Sequence, residues 1–260
     1  MKLEGKVAII TGAGSGVGHA SSLLFSQEGA KVVAADLNAE TAQKTAAEIT
    51  AAGGEAISVQ ADVSSGPAVK NLVDKAIEKF GKVDIIFNCA GLPQKPYLTW
   101  ELEDDEFEKV MAVNVKSNWL LLKYAGLELK KNHGNIIMVG STGAIKPRAT
   151  QALYAAAKGA IFTFVKGAAA ELAPEGRANV IHPGPIRTPM LPKFSPDQPQ
   201  TEEETNAVFA QIAAGTMLGE LIEPEDIAKS AVFLASDDAA KITGFSLLVD
   251  AGTIIARPRN

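Results

Sequence analysis

Cysteine is almost missing from this chain. Cys89 is the one thiol in 260 residues, so no disulfide can form within it, and a reducing compartment is expected. Histidine is nearly as scarce: His19, His133 and His182 fall at no ligand-like spacing, which leaves no metal site to expect. The same scarcity argues against a serine hydrolase, because GSTG around Ser141 is not G-x-S-x-G and no histidine follows His182. Positive charge is in deficit, with 25 Lys and Arg against 30 Asp and Glu for a net charge of -5. No basic run offers the face that a sequence-independent nucleic-acid binder needs. Long apolar runs are missing too. The opening MKLEGKVAIITGAG reaches glycine too soon for a signal segment or a membrane span. The expectation is a cytoplasmic globular protein with no membrane or nucleic-acid partner.

What the chain has is 47% hydrophobic residues, enough for a sizeable core, set out as short apolar runs between longer helical patterns. VAIIT (7–11), KVVAAD (31–36), EAISVQAD (55–62), VDIIFN (83–88), NIIMVGS (135–141), RANVIHP (177–183) and SLLVD (246–250) read as strands. Helical patterns separate them: about 16–27, a stretch capped by Asn38, one ending near Phe80, a long one over 104–131, one holding Tyr154, and one from Pro224. Strands apolar on both faces and spaced by helices belong to a sheet covered on both sides. Right-handed crossovers then predict an α/β fold: a single doubly wound, Rossmann-like domain over 1–260, its parallel seven-stranded sheet flanked by helices on both faces. The least regular stretch, 184–223, is proline-rich and then reads TEEETNAVFAQIAAG, which predicts a substrate-binding loop or lid.

TGAGSGVG (11–18) follows the first strand and opens the first helix. A glycine-rich turn there frees backbone N–H groups for a pyrophosphate, and the helix N-terminus adds favourable partial charge. Gly12 permits the turn, Gly16 lets the backbone approach a ligand, and Gly18 lets the helix pack on the strand. Asp36 ends the second strand, eighteen residues after Gly18. A carboxylate there accepts both hydroxyls of an adenosine ribose and repels a 2′-phosphate. Ser15, Leu37 and Asn38 carry no positive charge to hold that phosphate, so NAD is the expected cofactor rather than NADP.

Taken in order, TGAGSGVG (11–18), Asp36, DV (62–63), NCAG (88–91), Asn114, Ser141, YAAAK (154–158), HPGPIRT (182–188) and PEDIA (224–228) make the chain resemble a classical short-chain dehydrogenase/reductase along nearly its whole length. The resemblance implies a catalytic set of Asn114, Ser141, Tyr154 and Lys158. It implies cofactor contacts from Gly12, Ser15, Gly16, Val17 and Gly18, from Asp36 and Leu37 at the ribose, and from Asp62 and Val63 at the adenine. Asn88, Ala90 and Gly91 would pack along the adenosine ribose. Pro183, Gly184, Ile186 and Thr188 would line the nicotinamide, and Tyr154 and Lys158 would reach its ribose. Physics supports the catalytic pair: at i and i+4 the two share a helix face, and an ammonium beside a phenol of ordinary pKa about 10 is expected to lower it toward neutral. Ser141 stands thirteen residues before Tyr154, where its hydroxyl would hold or polarise a substrate oxygen. Phe107, Val110, Met111 and Asn114 fall on one helical stripe, so the amide is buried and needs a partner; in the family the matching asparagine supports a water that links Lys158 to solvent.

The implied reaction is hydride transfer between a nicotinamide and a secondary alcohol or ketone, a small-molecule substrate. The alternatives are a non-catalytic dinucleotide-binding or regulatory protein on the same fold, and an epimerase or dehydratase of the same family. Departures from the pattern include Cys89 for the second Asn of N-N-A-G, Gly140 where many members carry serine, Glu220 for a common Arg, and DAG (250–252) for D-G-G. The pocket should draw on 184–223, Leu92 to Trp100 and Gly143 to Arg148. There Lys146, Arg148 and Lys193 would suit an acidic substrate, and Trp100, Met190, Leu191 and Phe194 an apolar one. Apolar residues around much of 118–129 and of the Tyr154 helix predict a homo-oligomer, a dimer or tetramer.

Overall fold

The computed structural model describes residues 1–195 and 198–255. Its seven strands are β1 Val7–Thr11, β2 Lys31–Asp36, β3 Ala56–Gln60, β4 Ile85–Asn88, β5 Asn135–Val139, β6 Arg177–Pro183 and β7 Ser246–Val249. They run parallel in the order β3-β2-β1-β4-β5-β6-β7. The order reverses between β1 and β4, and this switch point opens a crevice at the carboxyl ends of both strands.

Register and side-chain alternation divide the core in two. Val33, Ile9, Ile86, Ile136 and Ala178 are successive partners across the sheet and pack on one face with Leu72, Leu121 and Ile161. These last come from α3 Gly66–Phe80, α5 Ser117–Lys131 and α6 Ala152–Leu172. One residue along, Ala8, Ile10, Ala34, Ile85, Phe87 and Ile137 turn to the opposite face and meet Phe25, Ile49 and Ile227. Those belong to α1 Gly16–Gln27, α2 Ala39–Ala51 and α8 Pro224–Ala235. A slip of one residue would exchange the two layers, so the period of two specifies the register. Asn38 caps α2 as expected, its side chain accepting from the N–H groups of Glu40 and Thr41.

The run expected as one long helix is interrupted. α4 Asp104–Met111 passes into a π turn, Ala112–Lys116, before α5 begins. The wider turn inserts one residue and shifts the helical phase beyond it. Within α4 itself the expected apolar stripe already fails at Phe107, which is 51% exposed, while Glu106 and Val110 are buried. Glu106 turns inward because its carboxylate accepts the Lys95 N–H at 2.7 Å. The described residues of 184–223 include a short 3-10 turn, Leu191–Phe194, and α7 Glu202–Ala213, whose capping box pairs Thr201 with Glu204. No helix among the described residues is long and apolar enough to cross a membrane.

Candidate active site

The glycine turn is built by close approach. A Cβ on Gly18 would run into the Gly12 carbonyl, and one on Gly12, itself at φ +63°, would lie 3.2 Å from Ala90 Cα. The turn is thus pressed against the end of β4, as the switch point requires. Thr11 Oγ1 bridges the two strand ends, donating to Asn88 Oδ1 and accepting the Ala90 N–H. Asn88 in turn donates to Ser117 Oγ and Asn118 Oδ1 on α5. On the other side Asp36 Oδ2 accepts the Gly14 N–H at 2.9 Å, and Oδ1 accepts that of Asn38 at 2.9 Å. Leu37 is 68% exposed beside it, and the hollow there is lined by Asp36, Leu37, Asn38, Ala39, Glu40 and Gln60, with no cation.

Ser15 is the N-cap of α1, but its hydroxyl makes no capping bond. The first turn carries no acidic side chain, so the positive end of the helix faces the crevice uncompensated. Val17 packs its side chain into the core, which leaves only its backbone toward the turn. A Cβ on Gly16 would touch the Thr188 methyl at 3.2 Å, so the start of the 184–223 segment closes over the turn. Asp62 is less committed to the crevice than expected: its Oδ1 is taken by the Ser64 N–H and hydroxyl, while Val63 is buried beside it.

The four expected catalytic residues converge at the ends of β4 and β5. Tyr154 and Lys158 are 8% and 4% exposed, with Lys158 Nζ 5.6 Å from the Tyr154 ring centre. The ammonium donates to the Val139 carbonyl at 2.9 Å, which draws it away from the phenol. The expected lowering of the Tyr154 pKa is accordingly not what the chain alone produces. Burial pushes the phenol up to about 12, and the nearby Ser141 hydroxyl offsets only part of that. Burial also holds Lys158 down at about 8, against its ordinary 10.5, with Cys89 partly opposing the shift. The Cys89 thiol itself is driven up by burial, as suits a packing residue rather than a reactive one.

Asn114, 1% exposed, lies in the π turn. Its amide donates to the Leu92 and Val110 carbonyls at 2.8 and 3.0 Å, and its oxygen accepts the Leu92 N–H. A Cβ on Gly91 would come within 3.2 Å of that oxygen and 3.6 Å of Lys158 Nζ, so Gly91 leaves room beside both side chains. Ser141 Oγ accepts the Gly143 N–H at 3.0 Å.

Two residues outside the expected set belong to the site. Gln94, 1% exposed, accepts the Tyr154 N–H at 2.8 Å and so caps the first turn of α6. The fully buried His182 ring faces the Ser141 backbone, Nδ1 lying 3.2 Å from its nitrogen and 3.1 Å from its oxygen. Neither contact is legible in a linear motif, because the partners are sixty and forty-one residues apart.

Pro183, the last residue of β6, is buried, and a Cβ on Gly184 would collide with the Asp250 backbone at 2.8 Å. An isolated parallel bridge pairs Ile186 with Ile222. Its hydrogen bonds use the Pro185 carbonyl and the Arg187 N–H, which turns the polar groups of Ile186 itself away from Ile222. Arg187 is occupied by Glu223 at 2.8 Å and by the Phe209 ring at 5.2 Å. Phe194 packs edge-on against Tyr154, ring centres 5.0 Å apart. Trp100 is 81% exposed and Lys146 donates to the Thr253 carbonyl, so neither faces a formed pocket as expected.

Comparison with known proteins agrees with this geometry. A family model described as Enoyl-(Acyl carrier protein) reductase matches residues 12–253. The chain is 40% identical over 253 residues to a 2,5-dichloro-2,5-cyclohexadiene-1,4-diol dehydrogenase of Sphingobium indicum, covering 96% of this chain and 97% of that one. Among solved structures it resembles a 3-ketoacyl-(acyl-carrier-protein) reductase of Brucella melitensis complexed with NADH, at TM-score 0.87 and 38% identity over 97% of this chain and 100% of that one. It also resembles a short-chain dehydrogenase/reductase of Serratia marcescens, at TM-score 0.87 and 32% identity over 97% and 99% of the two chains.

Proposed function

The chain belongs to the classical short-chain dehydrogenase/reductase family, and from that membership we propose that it is an NAD(H)-dependent oxidoreductase acting on a secondary alcohol or its ketone. The observation that carries the reading is the meeting of Ser141, Tyr154 and Lys158 on the same strand-end edge as the glycine turn.

The residues fit a dinucleotide. Backbone N–H groups over 15–18 and the Ser15 hydroxyl would hold the pyrophosphate. Asp36 would take the adenosine ribose, with Leu37, Asp62, Val63, Asn88, Ala90 and Gly91 around the adenosine half. Pro183, Gly184, Ile186 and Thr188 would hold the carboxamide end, and Lys158 and Tyr154 the nicotinamide ribose. NAD is favoured over NADP because the hollow beside Asp36 contains Glu40 and no Lys or Arg. When bound, the nicotinamide supplies or accepts the hydride.

The chain's own work is on the oxygen. Ser141 holds the ketone oxygen through its hydroxyl. Tyr154, protonated at neutral pH because burial pushes it to about 12, donates its proton as negative charge develops there. Lys158, still an ammonium at pH 7 with its pKa at about 8, stabilises the phenolate left behind. Asn114 fixes the Leu92 turn beside Lys158. Oxidation runs the same transfers backward, and there the phenol needs the ammonium to draw closer than in the free chain. Phe194 against Tyr154 supports an apolar wall for the substrate.

Tyr154→Phe tests the assignment: NADH titration by fluorescence should still show binding while turnover is nearly abolished, and retained turnover would refute it. The outward faces of α5 and α6 expose Trp119, Leu127 and Phe162 at 48%, 86% and 36%. This supports association with a second copy, and sedimentation at single-chain mass would count against it.

A further inference from the structure

Gly140 and His182 form one device. A Cβ at residue 140 would fall on the imidazole, 2.5 Å from Cε1, so the absence of a side chain there is what lets the ring lie flat against the end of β5. The ring is fully buried, and His182 Nδ1 lies within 3.2 Å of both the nitrogen and the oxygen of Ser141. A neutral imidazole can serve only one of them through that atom.

The hydrogen-bond inventory decides which. The Ser141 carbonyl already accepts the Ala144 N–H at 3.1 Å. Among the described residues, the Ser141 N–H has no partner other than His182 Nδ1. With Nδ1 as acceptor, both backbone groups of Ser141 are satisfied. With Nδ1 as donor, the N–H is stranded beside a buried ring, which is the costlier arrangement. The hydrogen then sits on Nε2, which is buried with no N or O partner. The Phe162 ring, tilted 59° at 5.6 Å between centres, is the neighbour available for a weak N–H···π contact.

We propose that His182 is a positioning residue for Ser141: its neutral ring accepts the Ser141 N–H through Nδ1 and so fixes where the Ser141 hydroxyl stands relative to Tyr154. The inference deepens the proposed function and rests on it for the role of Ser141, but the protonation pattern of the ring does not. Burial and the Lys158 charge lower the imidazole pKa from its ordinary 6.5, with the Ser141 backbone partly opposing them, in keeping with a neutral acceptor at pH 7. Gly140, just past β5, and His182 on β6 thereby act as a pair: Gly140 provides the space, and His182 uses it to hold the Ser141 backbone.

The ring is read directly by two-bond 1H–15N spectra of the full chain labelled at its three histidines, with His182 assigned by its loss in His182→Asn. The expected result at pH 7 is an unprotonated Nδ1 and a protonated Nε2. A protonated Nδ1, or a charged ring at pH 7, would overturn the proposal whatever the enzyme's activity.

Kinetics supply the second arm. Asparagine places an oxygen near the Nδ1 position, whereas leucine fills space and accepts nothing. His182→Leu should keep the wild-type NADH affinity and nearly its alcohol KM, and lose on the order of ten- to a hundredfold in kcat, as misplaced catalytic groups do. His182→Asn should recover most of that loss. Equal kcat in the two variants would reduce the ring to packing and end the proposal. If His182→Leu does not fold, the spectra still decide.

Discussion

Replacing the buried lysine is expected to make the protein more stable as it removes activity. Lys158 is 4% exposed, and burial holds it at about 8 rather than 10.5. Keeping it charged in the folded state at pH 7 therefore costs about 3 kcal/mol. Lys158→Met is close in shape and carries no charge. The variant forfeits the hydrogen bond to the Val139 carbonyl, about 1 kcal/mol, so its net gain is about 2 kcal/mol.

The sign of the pH dependence is specific. The folded pKa is depressed, so the unfolded chain binds the proton more tightly, and the cost is full below pH 8. It fades as pH rises from about 8 to 10.5, where the folded lysine gives up its proton first. Tyr154 acts the other way, since its folded pKa is raised to about 12 from 10. It begins to destabilise the fold only above pH 10, and does so in both proteins. Urea denaturation of wild type and Lys158→Met, at one protein concentration and at pH 7 and about pH 9.5, isolates the lysine. The variant should lead by about 2 kcal/mol at pH 7, and most of that lead should vanish at the higher pH. A variant less stable than wild type at pH 7, or a lead indifferent to pH, would refute the reasoning.

Two further substitutions separate binding from positioning. Gln94→Leu strands the Tyr154 N–H at the start of α6 and should cost about 1–3 kcal/mol of stability; kcat should fall with NADH affinity intact, and an unchanged urea midpoint would show that the cap contributes nothing. Asp36→Ala removes the charge that opposes a 2′-phosphate, but also the acceptor for the Gly14 and Asn38 N–H groups. The ratio of kcat/KM for NADP+ over NAD+ should rise by tenfold or more, corresponding to about 1.4 kcal/mol, while NAD+ binding weakens, and an unchanged ratio would remove Asp36 from cofactor choice.

The strands, the covering of the sheet on both faces and the glycine turn were readable because each is written in local pattern: short runs apolar on both faces, and glycine where a Cβ collides with backbone. The π turn at Ala112–Lys116 was not, since its sequence AVNVK has no helix breaker, and the burial of Glu106 depends on a partner in another loop. Tyr154 and Lys158 are found by spacing, yet spacing misjudges their ionisation. It puts an ammonium near a phenol, but only the fold reveals that Nζ is spent on Val139 and that burial dominates both groups. Gln94 and His182 escape a linear reading for a related reason. Each acts on backbone atoms of a residue that the motif names, and a motif records side chains.

The bridge between Ile186 and Ile222 means that the chain, having left β6, closes on itself just before α8 begins. Everything between is a closed excursion, tied at the neck, and lengthening such a loop costs little entropy, about 0.6 kcal/mol per doubling. The stretch that lies against Tyr154 can therefore be rewritten in length and composition while the strand ends, the glycine turn and the proton-transfer set keep their places. Such an architecture separates what the protein does to a molecule from which molecule it admits, and allows the second to drift without disturbing the first.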